Sequence, residues 1–403
     1  MPRKSETDVI LPGSDDRPPV VGRRLLRLLE KQLRHLHAQP AHGNRKLMAD
    51  HILVAHLIAF FNPAVASLRT IEDVFEHADV RRRFHLPRVP KSTLSDAQRV
   101  FDLSLLQTLI DDVVRRLGRL PRDPRLDALT RRIVAVDATV FQVASRIAWA
   151  WPHNTTSGRG AVQMCLHLDV LNGAPLGFTL IGGQESERSQ LPAALAPQRL
   201  YLLDRAYQSY VHLDRIAEIG SDFVVRLRRS AQWTVCAQRA LTVEDRRVGV
   251  QSDAVVTPAD RHHRFSIPVR LVEILLPDQT EPVRLLTNRL DLPAELIGLL
   301  YRYRWQIELF FRWLKCVTGL RHFLSEARDG MALQLYVALL GTLLIALETG
   351  SRPSKYDFAQ MTLVAGGLVS LKQARAVMAR RRAERARAAA WQKAYRARQK
   401  EVH

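Results

Sequence analysis

Residues 301–315 have the sequence YRYRWQIELFFRWLK, whose spacing of polar and apolar side chains predicts part of a helix running from about Ala294 to Val317. At 100° per residue, one narrow face of this helix gathers a carboxylate, several cations and a phenol. These are Tyr301, Arg304, Glu308, Arg312 and Lys315. The opposite face is expected to pack on a sheet and consists of Tyr303, Ile307, Phe310, Leu314 and Val317.

An ordinary amphipathic helix with salt-linked surface charges would show a similar pattern. The use of lysine in this chain argues against that alternative. Lys315 is the only lysine between Lys91 and Lys355, and the chain uses arginine for most of its cations. The pattern therefore indicates a specific requirement for a compact ammonium group at this position.

Two apolar stretches upstream of this helix each contain one aspartate. RIVAVDATVF (132–141) is rich in β-branched residues and carries Asp137. RLYLLDRAY (199–207) carries Asp204 where its predicted strand ends. Either aspartate alone is typical of a strand end or a turn. Together with Glu308, however, they have the composition of a two-metal site, whose chemistry is in-line displacement at a phosphodiester.

These motifs resemble the signature of the bacterial DDE transposases of the insertion-sequence-four group, which share a ribonuclease H-like catalytic core. The matching elements are VAVDATVF with Asp137, YLLDRAY with Asp204, LLTNRL with Thr287-Asn288, and the spacing Tyr301-x2-Arg304-x3-Glu308-x6-Lys315. The resemblance covers about residues 85–350. It implies an α/β fold: a ribonuclease H-like mixed sheet flanked by helices, with a β-rich insertion and an N-terminal helical domain.

The resemblance also implies roles for the acidic residues. Asp137, Asp204 and Glu308 are expected to be catalytic and to hold two Mg²⁺ ions, which Mn²⁺ can replace. Ions held in this way activate water or a DNA 3′-hydroxyl and stabilise the leaving oxygen.

Five further side chains of the helix are expected to bind DNA. The resemblance implies that Tyr301, Arg304 and Lys315 contact phosphates near the cleaved transposon end, which positions that end for in-line attack. Arg302 and Arg312 are expected to add contacts to the DNA backbone because they lie nearby on the same helix.

The chain departs from the family pattern in three places. Ala138 follows the first aspartate where Gly or Ser is common, and Ala206 precedes Tyr207 where Gly is common. Residues 184–187, Gln-Glu-Ser-Glu, stand where a His-Asp pair is expected. All three departures leave the expected metal ligands in place.

The implied function is that of a DNA transposase. It would bind the terminal inverted repeats of its insertion sequence, cleave at the ends and transfer the 3′-hydroxyls to target DNA, as a homodimer in a DNA-bridged assembly. Two alternatives stay open: a non-catalytic DNA-binding protein that occupies the repeats, and a nuclease with the same metal site but no strand transfer. No Walker-type phosphate loop is present in the sequence, so no ATP requirement is expected.

The composition agrees with a DNA partner. The 403 residues carry a formal charge of +20, from 60 Lys plus Arg against 40 Asp plus Glu, which predicts a polyanionic partner. Residues 372–403 hold 11 Lys or Arg against two Glu and are expected to bind phosphate groups.

Three scattered cysteines fit a reducing cytoplasm. The apolar stretch Met331–Leu347 is shorter than a bilayer span of about 20 residues and is expected to be a buried helix, so no membrane partner is predicted.

The pattern along the chain predicts six segments. They are a disordered N-terminus (1–22), a helical domain (23–120), the first part of the catalytic domain (125–222), a β-rich insertion (223–286), the catalytic domain continued (287–350) and a basic helical C-terminal region (351–403). DNA binding and simple packing are equally compatible with the helical domain.

A few other side chains are weaker candidates. Asp169 in LHLDVL is a less favoured second carboxylate, because it precedes a turn. Trp233 could stack on a displaced DNA base, although core packing is favoured. His167, His262 and His263 have no partners at metal-ligand spacing.

Overall fold

The computed structural model describes residues 29–39, 47–84, 86–117, 123–144, 147–150, 160–183, 185–259, 265–276, 279–318, 320, 323–365 and 368–401. The predicted disordered N-terminus (1–22), His262 and His263 lie outside the described residues. The chain divides into two compact units. The helical unit consists of residues 1–91 and 353–403, and the sheet unit consists of residues 92–352.

The described helices and strands follow one another in this order. The helices are α1 (Glu30–His37), α2 (Ala49–Phe61), α3 (Leu68–Glu76), α4 (Ala78–Phe84), α5 (Lys91–Arg99), α6 (Leu103–Arg116), α7 (Glu187–Ala194), α8 (Tyr210–Glu218), α9 (Val243–Arg247), α10 (Ala294–Tyr303), α11 (Trp305–Arg312), α12 (Arg328–Thr349), α13 (Lys355–Ala365) and α14 (Leu371–Glu401). The strands are β1 (Arg132–Val143), β2 (Gly160–Asp169), β3 (Ala174–Gly182), β4 (Arg199–Leu203), β5 (Asp222–Arg226), β6 (Trp233–Gln238), β7 (Val250–Pro258), β8 (Val269–Ile274) and β9 (Val283–Thr287).

All nine strands belong to one mixed sheet with the order β3-β2-β1-β4-β5-β9-β8-β7-β6. Strands β1, β2 and β3 are antiparallel neighbours, whereas β1, β4 and β5 run parallel. This is the strand order of a ribonuclease H-like sheet, and the predicted fold class is confirmed. Strands β6–β9 extend the sheet beyond β5 with antiparallel pairing, so the β-rich block continues the same sheet.

The central strands are apolar because both faces of the sheet are covered. In β1 the four residues 133–136 are buried, and β4 is buried from Leu200 to Leu203. Continuous apolar runs of this kind are typical of parallel strands with helices on both faces. In both strands the buried run ends at a partly exposed aspartate, Asp137 in β1 and Asp204 immediately after β4.

Helix α12 lies inside the sheet unit. It packs against α6 and β3. By length and composition this helix could cross a membrane, but 78% of its most apolar 18-residue window is buried within the protein. The prediction of a buried helix at Met331–Leu347 is therefore confirmed.

The helix predicted over 294–317 is divided into three pieces. Helix α10 ends at Tyr303, α11 begins at Trp305, and residues 313–317 form a π-helical turn. Arg304 lies at the first junction. Its backbone N–H donates to the carbonyl of Tyr301 at 3.0 Å, a shorter-range bond than the α-helical one. π-Helical turns are rare and occur often at functional sites.

In the helical unit, α1 packs on α2, α2 on α13, and α13 on α14. Helix α14 extends over 31 residues and is mostly exposed. Its Arg382 binds Asp357 of α13 at 3.1 Å, and two more of its arginines, Arg381 and Arg385, lie over the ring of Tyr356. These contacts join the basic helix to α13.

Candidate active site

The pairing of β1 with β4 brings two of the predicted carboxylates together. The parallel register aligns Val134 with Tyr201 and Ala135 with Leu202. This register brings Asp137, two residues beyond Ala135, and Asp204, immediately after the end of β4, to neighbouring positions, and the charge of Asp204 acts on Asp137. Asp204 begins a single 3₁₀ turn, and its Oδ1 accepts a hydrogen bond from the Ala206 N–H at 2.7 Å.

Arg304 links the third carboxylate to the first. Its Nη1 donates to Asp137 Oδ2 at 3.3 Å, and its Nη2 donates to Glu308 Oε1. The Nε of Arg304 is buried and has no partner among the described residues. Helix α11 therefore lies with Glu308 against β1, and one guanidinium bridges two of the three predicted metal ligands.

Burial dominates the electrostatics of Asp137. It raises the pKa of this carboxyl to about 7, and the neighbouring carboxylates of Asp204 and Glu187 act in the same direction. The hydrogen bond from the Ala138 N–H, at 2.8 Å, and the charge of Arg304 lower the pKa but do not offset the burial. Added positive charge at this point would therefore be stabilising.

The predicted phosphate-binding residues occupy two positions along β1. Tyr301 lies under Arg304, whose Cζ is 5.8 Å from the ring centroid, and burial raises the pKa of this phenol. Lys315 lies further along β1, where its Nζ donates to the Val140 carbonyl at 2.5 Å and lies 5.2 Å from the ring centroid of Phe141. Burial lowers the pKa of Lys315.

The remaining side chains of the predicted faces have simpler surroundings. Arg302 and Arg312 are exposed. On the opposite face Ile307, Phe310 and Leu314 are buried, as predicted from the helical spacing. The side chain of Val317 lies outside the described part of the chain.

Two departures from the family pattern occur at backbone contacts. Ala138 and Ala206 each donate a main-chain N–H to the adjacent aspartate. Because the donor is the backbone, the exchange of Gly or Ser for Ala leaves the contact in place.

The Thr287-Asn288 motif has a structural role. The Asn288 side chain accepts a hydrogen bond from the Phe223 N–H at 2.9 Å and donates one to the Ser221 carbonyl at 3.1 Å, which joins β9 to β5.

The weaker candidates Asp169 and Trp233 make contacts that stabilise the fold. Asp169 accepts hydrogen bonds from the backbone N–H groups of Leu171 and Asn172, both at 3.1 Å, so it organises the turn after β2. Trp233 stacks on Phe265 with a centroid distance of 6.2 Å and lies edge-on to Tyr210, within an aromatic cluster.

The sequence prediction gave no role to Glu187, the first residue of α7. Its charge nevertheless acts on Asp137, and the charge of Asp204 acts on it. The available sequence signal was the acidic stretch 184–187 at the place of the expected His-Asp pair.

The donor set fits hard divalent cations. Carboxylate oxygens are the ligands that Mg²⁺ and Mn²⁺ prefer, and a buried carboxyl of raised pKa gains from a nearby cation. In the described residues, the group of three potential ligands whose atoms all lie within 4.8 Å of one another is a different one, His37, Asp50 and His51 of the helical unit. The carboxylates of Asp137, Asp204 and Glu308 are spaced more widely than this in the described structure.

Comparison with known proteins adds independent evidence. A transposase from Sinorhizobium fredii, y4zB, is 28% identical over 232 residues, which cover 55% of this chain and 64% of that protein. The transposase of insertion sequence element IS5377 from Geobacillus stearothermophilus is 24% identical and covers 72% of this chain and 74% of its own. The solved piggyBac transposase synaptic complex with hairpin DNA aligns over 87% of this chain and 80% of its own at 10% identity, with a TM-score of 0.39.

The chain also matches a family model. Residues 128–344, more than half of the chain, match the family model of the transposase DDE domain. This range contains Asp137, Asp204 and Glu308 together with the whole Tyr-Arg-Glu-Lys spacing. The chain belongs to the transposase DDE domain family.

Proposed function

We propose that this protein is an insertion-sequence transposase that binds the terminal inverted repeats of its own element, cleaves at the element ends and joins the 3′-hydroxyls to target DNA. Asp137, Asp204 and Glu308 are its catalytic residues and the ligands of two Mg²⁺ ions, which Mn²⁺ can replace. The reaction needs no ATP and takes place in the bacterial cytoplasm on a DNA-bridged homodimer, because two ends must be joined together.

One observation carries this proposal. Asp137 and Asp204 come together through the parallel register of β1 and β4. Arg304, which is 167 residues from Asp137 in the sequence, connects Asp137 to Glu308. Two divalent ions held by these carboxylates would activate the attacking oxygen and stabilise the leaving oxygen of an in-line displacement. The burial of Asp137 supports the assignment, because a carboxyl with a pKa near 7 is disfavoured as an anion until a cation lies nearby.

The neighbouring cations position the substrate. The guanidinium of Arg304 is planar and lies over Tyr301, so it is suited to a bidentate contact with a phosphate once metal ions take its place at Asp137 and Glu308. Lys315, held over Phe141, supplies a compact charge further along β1. Arg302 and Arg312 are exposed and provide secondary contacts with the DNA backbone.

The basic helix α14 contributes affinity without sequence preference. Arginines such as Arg387 and Arg398 are exposed on it, and exposed guanidinium groups release counterions from DNA when they bind phosphates. Its exposed Trp391 and Tyr395 stack on one another at 5.4 Å, which leaves aromatic surface between the cations.

A cleavage assay tests the proposal. The substrate is a labelled duplex that carries the inverted repeat flanking the gene, and the reactions contain Mg²⁺ or EDTA. We expect metal-dependent nicking at the element boundary and, with target DNA added, joining that requires the 3′-hydroxyl. Asp137→Asn, Asp204→Asn and Glu308→Gln should each abolish nicking while binding of the duplex is retained.

Asp169→Asn is the matched control, because this buried carboxylate of the same sheet holds the turn after β2 and pairs with Arg132 rather than with any of the three predicted ligands. Nicking retained by any of the three variants would remove that residue from the site. Nicking without joining would identify a nuclease, and binding without nicking under all metal conditions would identify a non-catalytic DNA-binding protein.

A further inference from the structure

Glu187 is held next to the catalytic carboxylates by a contact of the following residue. The Nε of Arg188 donates to the carbonyl of Ala206 at 2.8 Å, within the turn that begins at Asp204. Leu191, one turn later in α7, is buried in the same core cluster as Tyr207. Two contacts therefore fix the start of α7 against the turn that carries the second aspartate.

The carboxylate of Glu187 is half-buried and lacks a direct partner. In the described ranges it makes no hydrogen bond, and it forms no ion pair within 4 Å. Burial raises the pKa of Glu187, the carboxylate of Asp204 raises it further, and the charge of Arg188 opposes both. A half-buried carboxylate beside a second one is unfavourable unless a cation lies between them.

A buried hydroxyl belongs to the turn that begins at Asp204. Tyr207 is 1% exposed, and its Oη has no hydrogen-bond partner among the residues described here. The charges of Glu187, Asp137 and Asp204 all act on this phenol. Buried polar groups almost always have partners, so an unpartnered hydroxyl beside three carboxylates indicates a ligand or a bound water at this position.

Glu185, two residues earlier, has a different environment. Its Oε1 accepts from the Gly182 N–H and from Arg328 Nη2, both at 3.0 Å. Glu185 therefore closes the turn after β3 and has its own cation. Of the two glutamates in the stretch 184–187, Glu187 is the one that the contacts of Arg188 and Leu191 hold near the turn that begins at Asp204.

Building on the proposed function, we propose that Glu187 is a fourth carboxylate ligand of the divalent-metal site, on the side of Asp204. Asp137 and Glu308 share the guanidinium of Arg304, whereas Asp204 and Glu187 form no ion pair in the described structure. A divalent cation beside Asp204 would neutralise both of these carboxylates, and the buried Tyr207 hydroxyl could bond a water bound to that ion.

Mn²⁺ binding by the full chain tests this assignment. It is measured by calorimetry and by electron paramagnetic resonance. The wild type should bind two Mn²⁺ ions. Glu187→Gln should weaken one of them by about 10-fold or more, as ligand-shell changes commonly do, and Glu187→Asp should restore part of the loss. Glu185→Gln should bind as the wild type does. The Mn²⁺ concentration for half-maximal nicking should rise for Glu187→Gln, with the rate at saturating Mn²⁺ affected much less.

Thermal unfolding in EDTA separates a metal ligand from a structural residue. Glu187→Gln should be at least as stable as the wild type, because the change removes repulsion, whereas a structural role would lower the melting temperature. Unchanged binding of both ions by Glu187→Gln would overturn the assignment and leave the three-carboxylate site intact. Failure of the wild type itself to bind Mn²⁺ would instead contradict the proposed function.

Discussion

Replacing Asp137 by asparagine should stabilise this protein at alkaline pH when no divalent ion is present. The reason is the burial of the carboxyl, which is 19% exposed and has a pKa of about 7 instead of 3.8. Because the pKa is raised in the folded state, the contribution of this group to stability is fully present below pH 3.8 and is lost as the pH rises through 7. Asparagine keeps the shape and the acceptor for the Ala138 N–H but cannot ionise.

The magnitude follows from the shift. A difference of about three pKa units, at about 1.4 kcal/mol each, amounts to about 4 kcal/mol. The free energy of unfolding of Asp137→Asn should therefore exceed that of the wild type by about 4 kcal/mol at pH 8, and by less than about 1 kcal/mol at pH 4.

Urea unfolding in EDTA at pH 4, 6 and 8 measures this difference. Asp96→Asn, which replaces an exposed carboxylate of α5, controls for the loss of one negative charge as such. Saturating Mg²⁺ should raise the stability of the wild type and not that of Asp137→Asn, because only an intact ligand gains from the ion. Equal stability of Asp137→Asn and the wild type at pH 8 in EDTA would refute the reasoning and show that Arg304 fully offsets the burial.

Three other changes have defined outcomes. Arg270→Met should lower the free energy of unfolding by about 3–5 kcal/mol in urea titrations, because the buried Asp253 loses two contacts of 2.6 Å and keeps only the 3.5 Å ion pair with Arg239. A loss below about 1 kcal/mol would contradict this. Replacing Arg387 and Arg398 together by Gln should weaken binding to all DNA sequences alike and reduce the slope of log Kobs against log salt by about 2; a loss limited to the element end would argue against backbone contacts. Lys315→Met should reduce nicking by about 10-fold or more, since it removes a cation proposed to hold the DNA phosphate. Mn²⁺ binding, measured by calorimetry, should stay unchanged, because among the described residues Lys315 donates to the Val140 carbonyl and pairs with no carboxylate. Lost Mn²⁺ binding would place Lys315 in the metal site.

Local patterns explain why the sequence predicts the main features of the site. Asp137 and Asp204 interrupt or end apolar strands, and that alternation depends on neighbouring residues only. The spacing from Tyr301 to Lys315 likewise follows from helical geometry, and the buried face of Ile307 appears as expected. Glu308 is joined to Asp137 through Arg304, a residue of the same polar face of the helix.

Features that depend on distant contacts were not accessible in the same way. The helix is divided at Arg304, whose guanidinium binds Asp137 of β1, and helical periodicity contains no information about such a contact. The pairing of β5 with β9 depends on the side chains of Thr287 and Asn288, so strand order beyond the core could not be predicted. The role proposed for Glu187 depends on the contact between Arg188 and Ala206, which no local pattern contains.

The most direct test of the central claim is the location of bound metal. Crystals of the full chain with a short duplex of its element end, soaked in Mn²⁺, would show the ions by anomalous diffraction. The account predicts two peaks about 3.5–4 Å apart, within coordination distance of the carboxylates of Asp137, Asp204 and Glu308. Well-ordered DNA with no anomalous peak at these carboxylates, or Arg304 still bridging Asp137 and Glu308 in the DNA-bound complex, would contradict it.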